Sequence, residues 1–215
     1  MSHSIRENIK QIQSEIGNTK LVVVSKYRTI SELQEVYDTG HRHFGENRVQ
    51  ELTEKYDVLP KDIKWHVIGH LQRNKVKYIV PFVHLIHSVD SMKLLAEVDK
   101  QAEKENRIVD FLLQVHIADE STKFGFEPEE ISELLQDDGY TNLKNVSCKG
   151  LMGMATNTKD TNQVAAEFNL LNTLFAEHRA KENWDTLSMG MSGDYVTAIE
   201  CGSTLIRVGS KIFSA

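Results

Sequence analysis

Leu21-Val22-Val23-Val24-Ser25-Lys26 is an almost unbroken apolar run that ends in a lysine. A strand buried on both faces reads this way, because a parallel sheet is covered by helices on each side and has no polar face to alternate with. Seven more short runs follow it: His43–Gly45, Trp65–Gly69, Leu85–Val89, Asp110–Ile117, Cys148–Met152, Thr186–Met189 and Thr204–Val208. Between them lie segments with helical spacing. Ile30–Thr39 carries Ile30, Leu33, Val36 and Tyr37 on one face, and Ser91–Glu105 carries Leu94, Leu95 and Val98 behind Ser91 as N-cap. Pro128 opens Glu129–Leu135, Thr161–Lys181 is the longest helical pattern, and an amphipathic segment, Ile5–Ile16, precedes the first strand. Strand–helix alternation repeated about eight times predicts one domain over residues 1–215, a (β/α)8 TIM barrel with an additional N-terminal helix. An open doubly wound sheet is the alternative. Its Gly-rich first turn is missing here, since Tyr27-Arg28-Thr29 follows the lysine.

Composition narrows the function. With 40% hydrophobic residues the 215-residue chain can bury a sizeable core. A net charge of -6 argues against a nucleic-acid binder, and the short cluster Arg73, Lys75, Lys77 reads as a solvated helix face. Cys148 and Cys201 form no C-x-x-C pair and read as reduced, packed thiols. The polar start, Met1 to Lys10, has no apolar signal-peptide region, and no stretch is apolar enough over a bilayer's thickness. A cytoplasmic protein that engages no membrane is expected.

Barrel active sites lie at the C-terminal ends of the strands. That rule collects Lys26, Glu46, Asn47, His70, Asp90, Met154, Ser192, Arg207 and Gly209, and closure makes Lys26 and Arg207 neighbours. Desolvation of Lys26 in the mouth would favour a nucleophilic amine, able to form a Schiff base with an aldehyde. The loops Gly190-Met191-Ser192-Gly193-Asp194 and Gly202 to Ser210 offer close backbone approach and short hydroxyls, the usual makings of a barrel phosphate site. Asp194 would be unwelcome beside a phosphate and is expected to cap the helix Tyr195–Glu200. Arg207, between Ile206 and Val208, needs either a structural carboxylate such as Glu46 or an electronegative ligand atom. Lys123 is a rival amine with no apolar run leading directly into it.

No metal site is expected. His66 and His70 lie on one strand roughly 13 Å apart, and His84 and His87 fall on opposite faces. No serine-histidine-aspartate arrangement can be assigned.

Several stretches carry a resemblance: Val24-Ser25-Lys26, Phe44-Gly45-Glu46-Asn47-Arg48-Val49-Gln50-Glu51, Trp65-His66-Val67-Ile68-Gly69-His70-Leu71-Gln72-Arg73-Asn74-Lys75, Gly150-Leu151-Met152, Leu187 to Ser192 and Gly202 to Gly209. In this order, over nearly the whole chain, they resemble the pyridoxal phosphate homeostasis protein family, which is related to the N-terminal barrel of alanine racemase. The resemblance implies a (β/α)8 barrel with pyridoxal 5′-phosphate (PLP) held as an aldimine on Lys26. It implies that Arg207 faces the pyridine nitrogen, that Ser192, Gly209 and Ser210 hold the phosphate, and that Asn47 faces the ring. Many relatives carry Thr-Lys-Pro where this chain has Tyr27-Arg28-Thr29, so the local loop contacts are expected to differ. The racemase also uses a tyrosine from an additional domain of a partner subunit, which this sequence does not contain. The resemblance therefore implies a monomer that binds, buffers or delivers PLP, with apo PLP-dependent enzymes as candidate recipients, and that is not itself an enzyme.

Two other functions remain open. A racemase-like or aldolase-like enzyme of low activity would use the same Lys26. A phosphosugar barrel enzyme would need no PLP and would bind substrate phosphate in the Ser/Gly loops.

Overall fold

The structure, a computed structural model, describes residues 4–120 and 124–214. Eight strands, β1 (Lys20–Val24), β2 (His43–Glu46), β3 (Lys64–Val67), β4 (Leu85–Val89), β5 (Val109–Gln114), β6 (Val146–Met152), β7 (Thr186–Ser188) and β8 (Leu205–Val208), pair in chain order. All are parallel, and β8 returns to β1 in the register Lys20↔Leu205, Leu21↔Ile206, Val22↔Arg207, so the barrel is closed. Closure removes both sheet edges and gives every strand a buried outer face, which is why the runs read as apolar rather than alternating.

Two cores result. The larger lies between the sheet and the surrounding helices and includes Leu21, Val23, Phe44, Trp65, Ile86 and Leu113. The smaller fills the barrel and consists of Val22, Leu85, Leu112, Met152 and Leu205. Gly45 belongs to that interior: a Cβ there would stand 2.9 Å from Val22 Cγ1 and 3.1 Å from Ile68 Cδ1.

Helices cover the outside. The first, α1 (Ile5–Glu15), starts in a reciprocal cap between Ser4 and Glu7, and Asn8 Nδ2 donates to Ile212 O at 3.0 Å, tying it to the C-terminal end. Then come α2 (Ile30–Asp38), α3 (Val49–Val58), α4 (Val76–Ile79), α5 (Met92–Lys104), α6 (Ile131–Leu134), α7 (Asp138–Thr141), α8 (Thr161–Glu182), α9 (Tyr195–Glu200) and α10 (Ser210–Phe213). Thr29 and Glu32 cap α2 reciprocally, Ser91 accepts from Leu94 N at the start of α5, and Asn183 ends α8 in the left-handed region at φ 56°. Arg73, Lys75 and Lys77 are exposed. Both cysteines are free, and burial pushes the Cys148 thiol up to about 12. No helix among the described residues is long and apolar enough to cross a membrane.

One irregularity carries a requirement for glycine. Pairing of β5 with β6 shifts between Phe111↔Cys148 and Leu112↔Gly150, so Lys149 is an extra residue on β6. Gly150 has φ 141°, and a Cβ there would lie 1.9 Å from Thr186 O. Neither the backbone angle nor the neighbouring strand leaves room for a side chain. Gly150→Ala is expected to destabilise the protein by on the order of 3 kcal/mol, read as a lowered urea midpoint. An unchanged midpoint would show that β7 can move away at little cost.

Candidate functional site

A cavity of about 660 Å³ opens at the C-terminal ends of the strands. Lys26, Asn47, Ser192, Arg207, Gly209 and Ser210 all line it, and His70 and Met154 do as well. Six positions spread over almost the whole sequence thus meet in one place. Glu46 and Asp90 are held behind the wall. Asp90 Oδ2 lies 2.9 Å from His70 Nδ1, whose ring stacks on Phe124 at 4.4 Å. Lys123 lies outside the described residues.

Lys26 follows β1 in a tight turn closed by Arg28 N to Ser25 O at 3.1 Å. Tyr27 occupies the left-handed region at φ 62°, a conformation that costs a non-glycine residue about 1–2 kcal/mol. Side chains from α3 hold this turn. Lys55 Nζ donates to Ser25 O at 2.8 Å and to Glu46 Oε1 at 2.6 Å, Ser25 Oγ donates to Glu46 Oε1 at 2.6 Å, and Tyr27 N donates to Glu51 Oε2 at 3.0 Å. Lys26 itself is exposed in the open mouth, so the expected desolvation does not occur.

Arg207 is 3% exposed, and burial lowers its guanidinium to about 10, still cationic at neutral pH. Its partner is not Glu46, which lies on the outer side of β2 with Lys55. The guanidinium donates to Ser188 Oγ and, at 3.0 Å, to Gly153 O. A guanidinium has five N–H donors and these bonds use two, so donors remain for a ligand in the cavity. Glu46 in turn has its carboxyl raised by burial, against the pull of Lys55 and Ser25, and its second oxygen is buried without a partner.

The loops after β7 and β8 meet at Ser192, whose Oγ accepts from Gly209 N at 3.2 Å. Gly193 has nothing within 4 Å of where its Cβ would be, so its backbone faces open space. Asp194 stands at the N-cap of α9 but does not cap it with its side chain. Its carboxylate accepts from Met191 N at 2.6 Å and so folds the loop back on itself. Gly69 lets the loops after β2 and β3 touch, because a Cβ there would lie 2.6 Å from Asn47 O.

A buried polar column runs down the barrel from this site and was missed in the sequence. His87 Nδ1 lies 2.9 Å from Ser188 Oγ, His66 Nδ1 lies 2.9 Å from His87 Nε2, and His43 Nδ1 lies 2.9 Å from His66 Nε2. These contacts join four different strands, so spacing along any one of them gives no signal.

A sequence profile of the family described as "Alanine racemase, N-terminal domain" matches residues 2–215. The pyridoxal phosphate homeostasis protein of Aquifex aeolicus is 41% identical over 198 residues, covering 90% of this chain and 86% of its own. The chain belongs to the pyridoxal phosphate homeostasis protein family, within the alanine racemase N-terminal fold. PipY of Synechococcus elongatus PCC7942, solved with PLP bound, superposes with a TM-score of 0.87 at 34% identity, over 98% of this chain and all of its own. Alanine racemase of Streptomyces lavendulae shares the fold at a TM-score of 0.82 and 15% identity, with this chain covering 56% of it.

Two outcomes follow from the buried groups. Lys55→Met leaves the Glu46 carboxyl buried with Ser25 alone, and a loss of about 3 kcal/mol is expected, at the low end for a broken buried pair because the raised carboxyl takes up a proton. The double variant Glu46→Leu with Lys55→Met is expected to recover most of it, and a double-mutant cycle in urea reads both. The second concerns His66 and His87, each pushed far below 6.5 by burial and then by neighbouring positive charge. The unfolded chain takes up these protons below about pH 6.5 and the folded chain does not, so stability is lost as pH falls. The expected slope is about 1.4 kcal/mol per pH unit for each histidine. Urea midpoints that stay flat between about pH 7 and about pH 5 would contradict it.

Proposed function

We propose that this chain binds pyridoxal 5′-phosphate in the cavity above the barrel, joined reversibly to Lys26, and serves as a cellular holder of that cofactor rather than as a catalyst of substantial turnover. The observation that carries the reading is the convergence of Lys26, Arg207 and the Ser192/Gly209 loop pair on one cavity. The donor set suits the ligand. Among the described residues, the lining combines an amine, two guanidinium groups and short hydroxyls, and it includes no carboxylate. An anionic phosphate and an aldehyde therefore meet complementary groups. The family relatives point the same way, since they are named for PLP homeostasis and PipY binds PLP.

When bound, PLP supplies an aldehyde and an electron-withdrawing pyridine ring. Lys26 Nζ adds to the aldehyde carbon, water leaves as the carbon–nitrogen double bond forms, and water reverses the step. Ser192, Gly209 and Ser210 take the phosphate, and Asn47 borders the ring. Arg207 faces the pyridine nitrogen as a donor that gives up its proton poorly, which keeps the ring a weak electron sink. A weak sink suits storage and release. The chain acts as a monomer in the cytoplasm, with apo PLP-dependent enzymes as recipients.

A second reading, a racemase-like enzyme of low activity, draws on His70. This imidazole lines the cavity and is oriented by Asp90, so it is a group that could accept a proton.

The purified protein, loaded with PLP, is expected to show the yellow band of a lysine–PLP imine. Borohydride should fix the link in the wild type, and Lys26→Ala should have no band. No band after loading would sink the PLP reading and favour a phosphosugar-binding barrel. Exchange of the α-hydrogen of amino acids in deuterated water, above the Lys26→Ala background and lowered in His70→Ala, would favour the enzyme.

A further inference from the structure

At the opposite end of the barrel, where the strands begin, lies a second cavity of about 160 Å³ lined by Lys20, His43, His66, His84, Asp110, Lys149, Asp185 and neighbours. The ligand nitrogens of His43, His66 and His84 all lie within 4.8 Å of one another. The ring centres are 5.2 Å apart for His43 and His66, 5.2 Å for His66 and His84, and 5.6 Å for His43 and His84. Three imidazoles bound to one tetrahedral ion at zinc-to-nitrogen distances of about 2.0–2.1 Å have ring centres about 5 Å apart. The three rings already stand in that triangle before any ion is present.

We propose that His43, His66 and His84 form a site for one divalent transition-metal ion of the zinc, cobalt, nickel or copper class at the N-terminal mouth of the barrel. The donor set is all imidazole, which suits these ions and not calcium or magnesium. Each histidine comes from a different place in the chain: the start of β2, the middle of β3 and the residue before β4. The barrel register, not local sequence, assembles them. Asp110 and Asp185 supply carboxylates in the same cavity, and a fourth position stays open to one of them or to water. Asp110 already faces Lys149 at 3.4 Å, and Lys20 also lines the space, so the surroundings favour one compact ion over a cluster.

His66 has the outer-shell support that metal-bound histidines usually show, a partner on its other ring nitrogen. That partner is His87, which leads to Ser188 and Arg207. Arg207 can only donate, so the Ser188 proton goes to His87 Nδ1, the acceptor it has among the described residues. His87 then carries its own proton on Nε2 and gives it to His66 Nδ1, and His66 gives its Nε2 proton to His43. An ion on His66 Nε2 reverses this order. His66 then carries Nδ1–H towards His87 Nε2, and His87 carries Nδ1–H towards Ser188. The two mouths of the barrel are coupled through the tautomers of two buried rings, with a hydrogen-bond reorganisation beneath Arg207 as the consequence.

Titration of the wild-type protein with cobalt is expected to give the intense visible absorption of four-coordinate cobalt at one equivalent. His84 is exposed, so His84→Ala should fold normally and bind cobalt at least about tenfold more weakly. His43→Gln should do the same, while Lys26→Ala should bind as the wild type, which separates this site from the one at the other mouth. With zinc, nitrogen-15 NMR of the imidazoles should show the His87 proton moving from Nε2 to Nδ1. No cobalt band at millimolar metal, equal binding in His84→Ala, or a zinc-loaded protein whose His87 keeps its Nε2 proton would overturn the assignment.

Discussion

The pairing of β8 with β1 is the constraint on which the rest depends. A parallel sheet left open would expose two rows of unpaired backbone groups, and the short strands here could not protect them. Closure solves this and fixes geometry at once. With Val22 opposite Arg207, the first and last strands share one wall, and the turn after one stands beside the loop after the other. Lys26 and Arg207 are separated by most of the chain, yet their meeting is a consequence of register. No long-range side-chain contact is needed to bring them together, so both cationic groups inherit their position from the barrel itself.

Closure also creates an interior whose upper part is polar. A buried guanidinium is tolerated only when its donors are satisfied. Arg207 finds Ser188 and Gly153, and Ser188 in turn requires a partner for its own proton. Each added group passes the requirement on, through His87 and His66 to His43, until the column reaches the solvent-facing end of the barrel. Beside it the apolar interior is built from Val22, Leu85, Leu112, Met152 and Leu205, with Met154 packed against them. The column can therefore be understood as what one buried cation demands of the residues beneath it, with the imidazoles kept neutral by the same burial that makes them hydrogen-bond so closely.

The barrel was legible because both-faces burial writes itself into sequence as continuous apolar runs, and all eight runs became strands within a few residues of where they were read. Candidate site residues were legible by position, since strand ends of a barrel point to one mouth. What escaped lies in contacts between elements. Glu46 was a reasonable partner for Arg207 by charge, but the pleat turns it outward to Lys55 on α3. That helix gave little signal, because Arg48 stands at its N-cap without a capping hydrogen bond. Along the chain the histidines give no sign of a cluster, and His70 lies beyond the end of β3. The cluster forms across strands, and only the register of β2, β3 and β4 reveals it.

Lys26 is exposed at the cavity mouth, so its usefulness rests on where it is held rather than on a dry surrounding. An amine can be made useful by being placed in a dry wall or by being held in the right position, and these have different structural signatures. The first requires an apolar sheath around the side chain. The second requires a backbone fixed from behind, and this chain has that arrangement. Lys55, Glu46, Ser25 and Glu51 anchor the turn on the far side from the cavity, tightly enough to hold Tyr27 at a positive φ that a tyrosine does not choose. The buried pair is costly to desolvate, so its contribution to net stability is small. Its contribution is instead to position the turn, with the amine left accessible at the cavity mouth. An accessible amine fits the proposed reversible attachment of a cofactor.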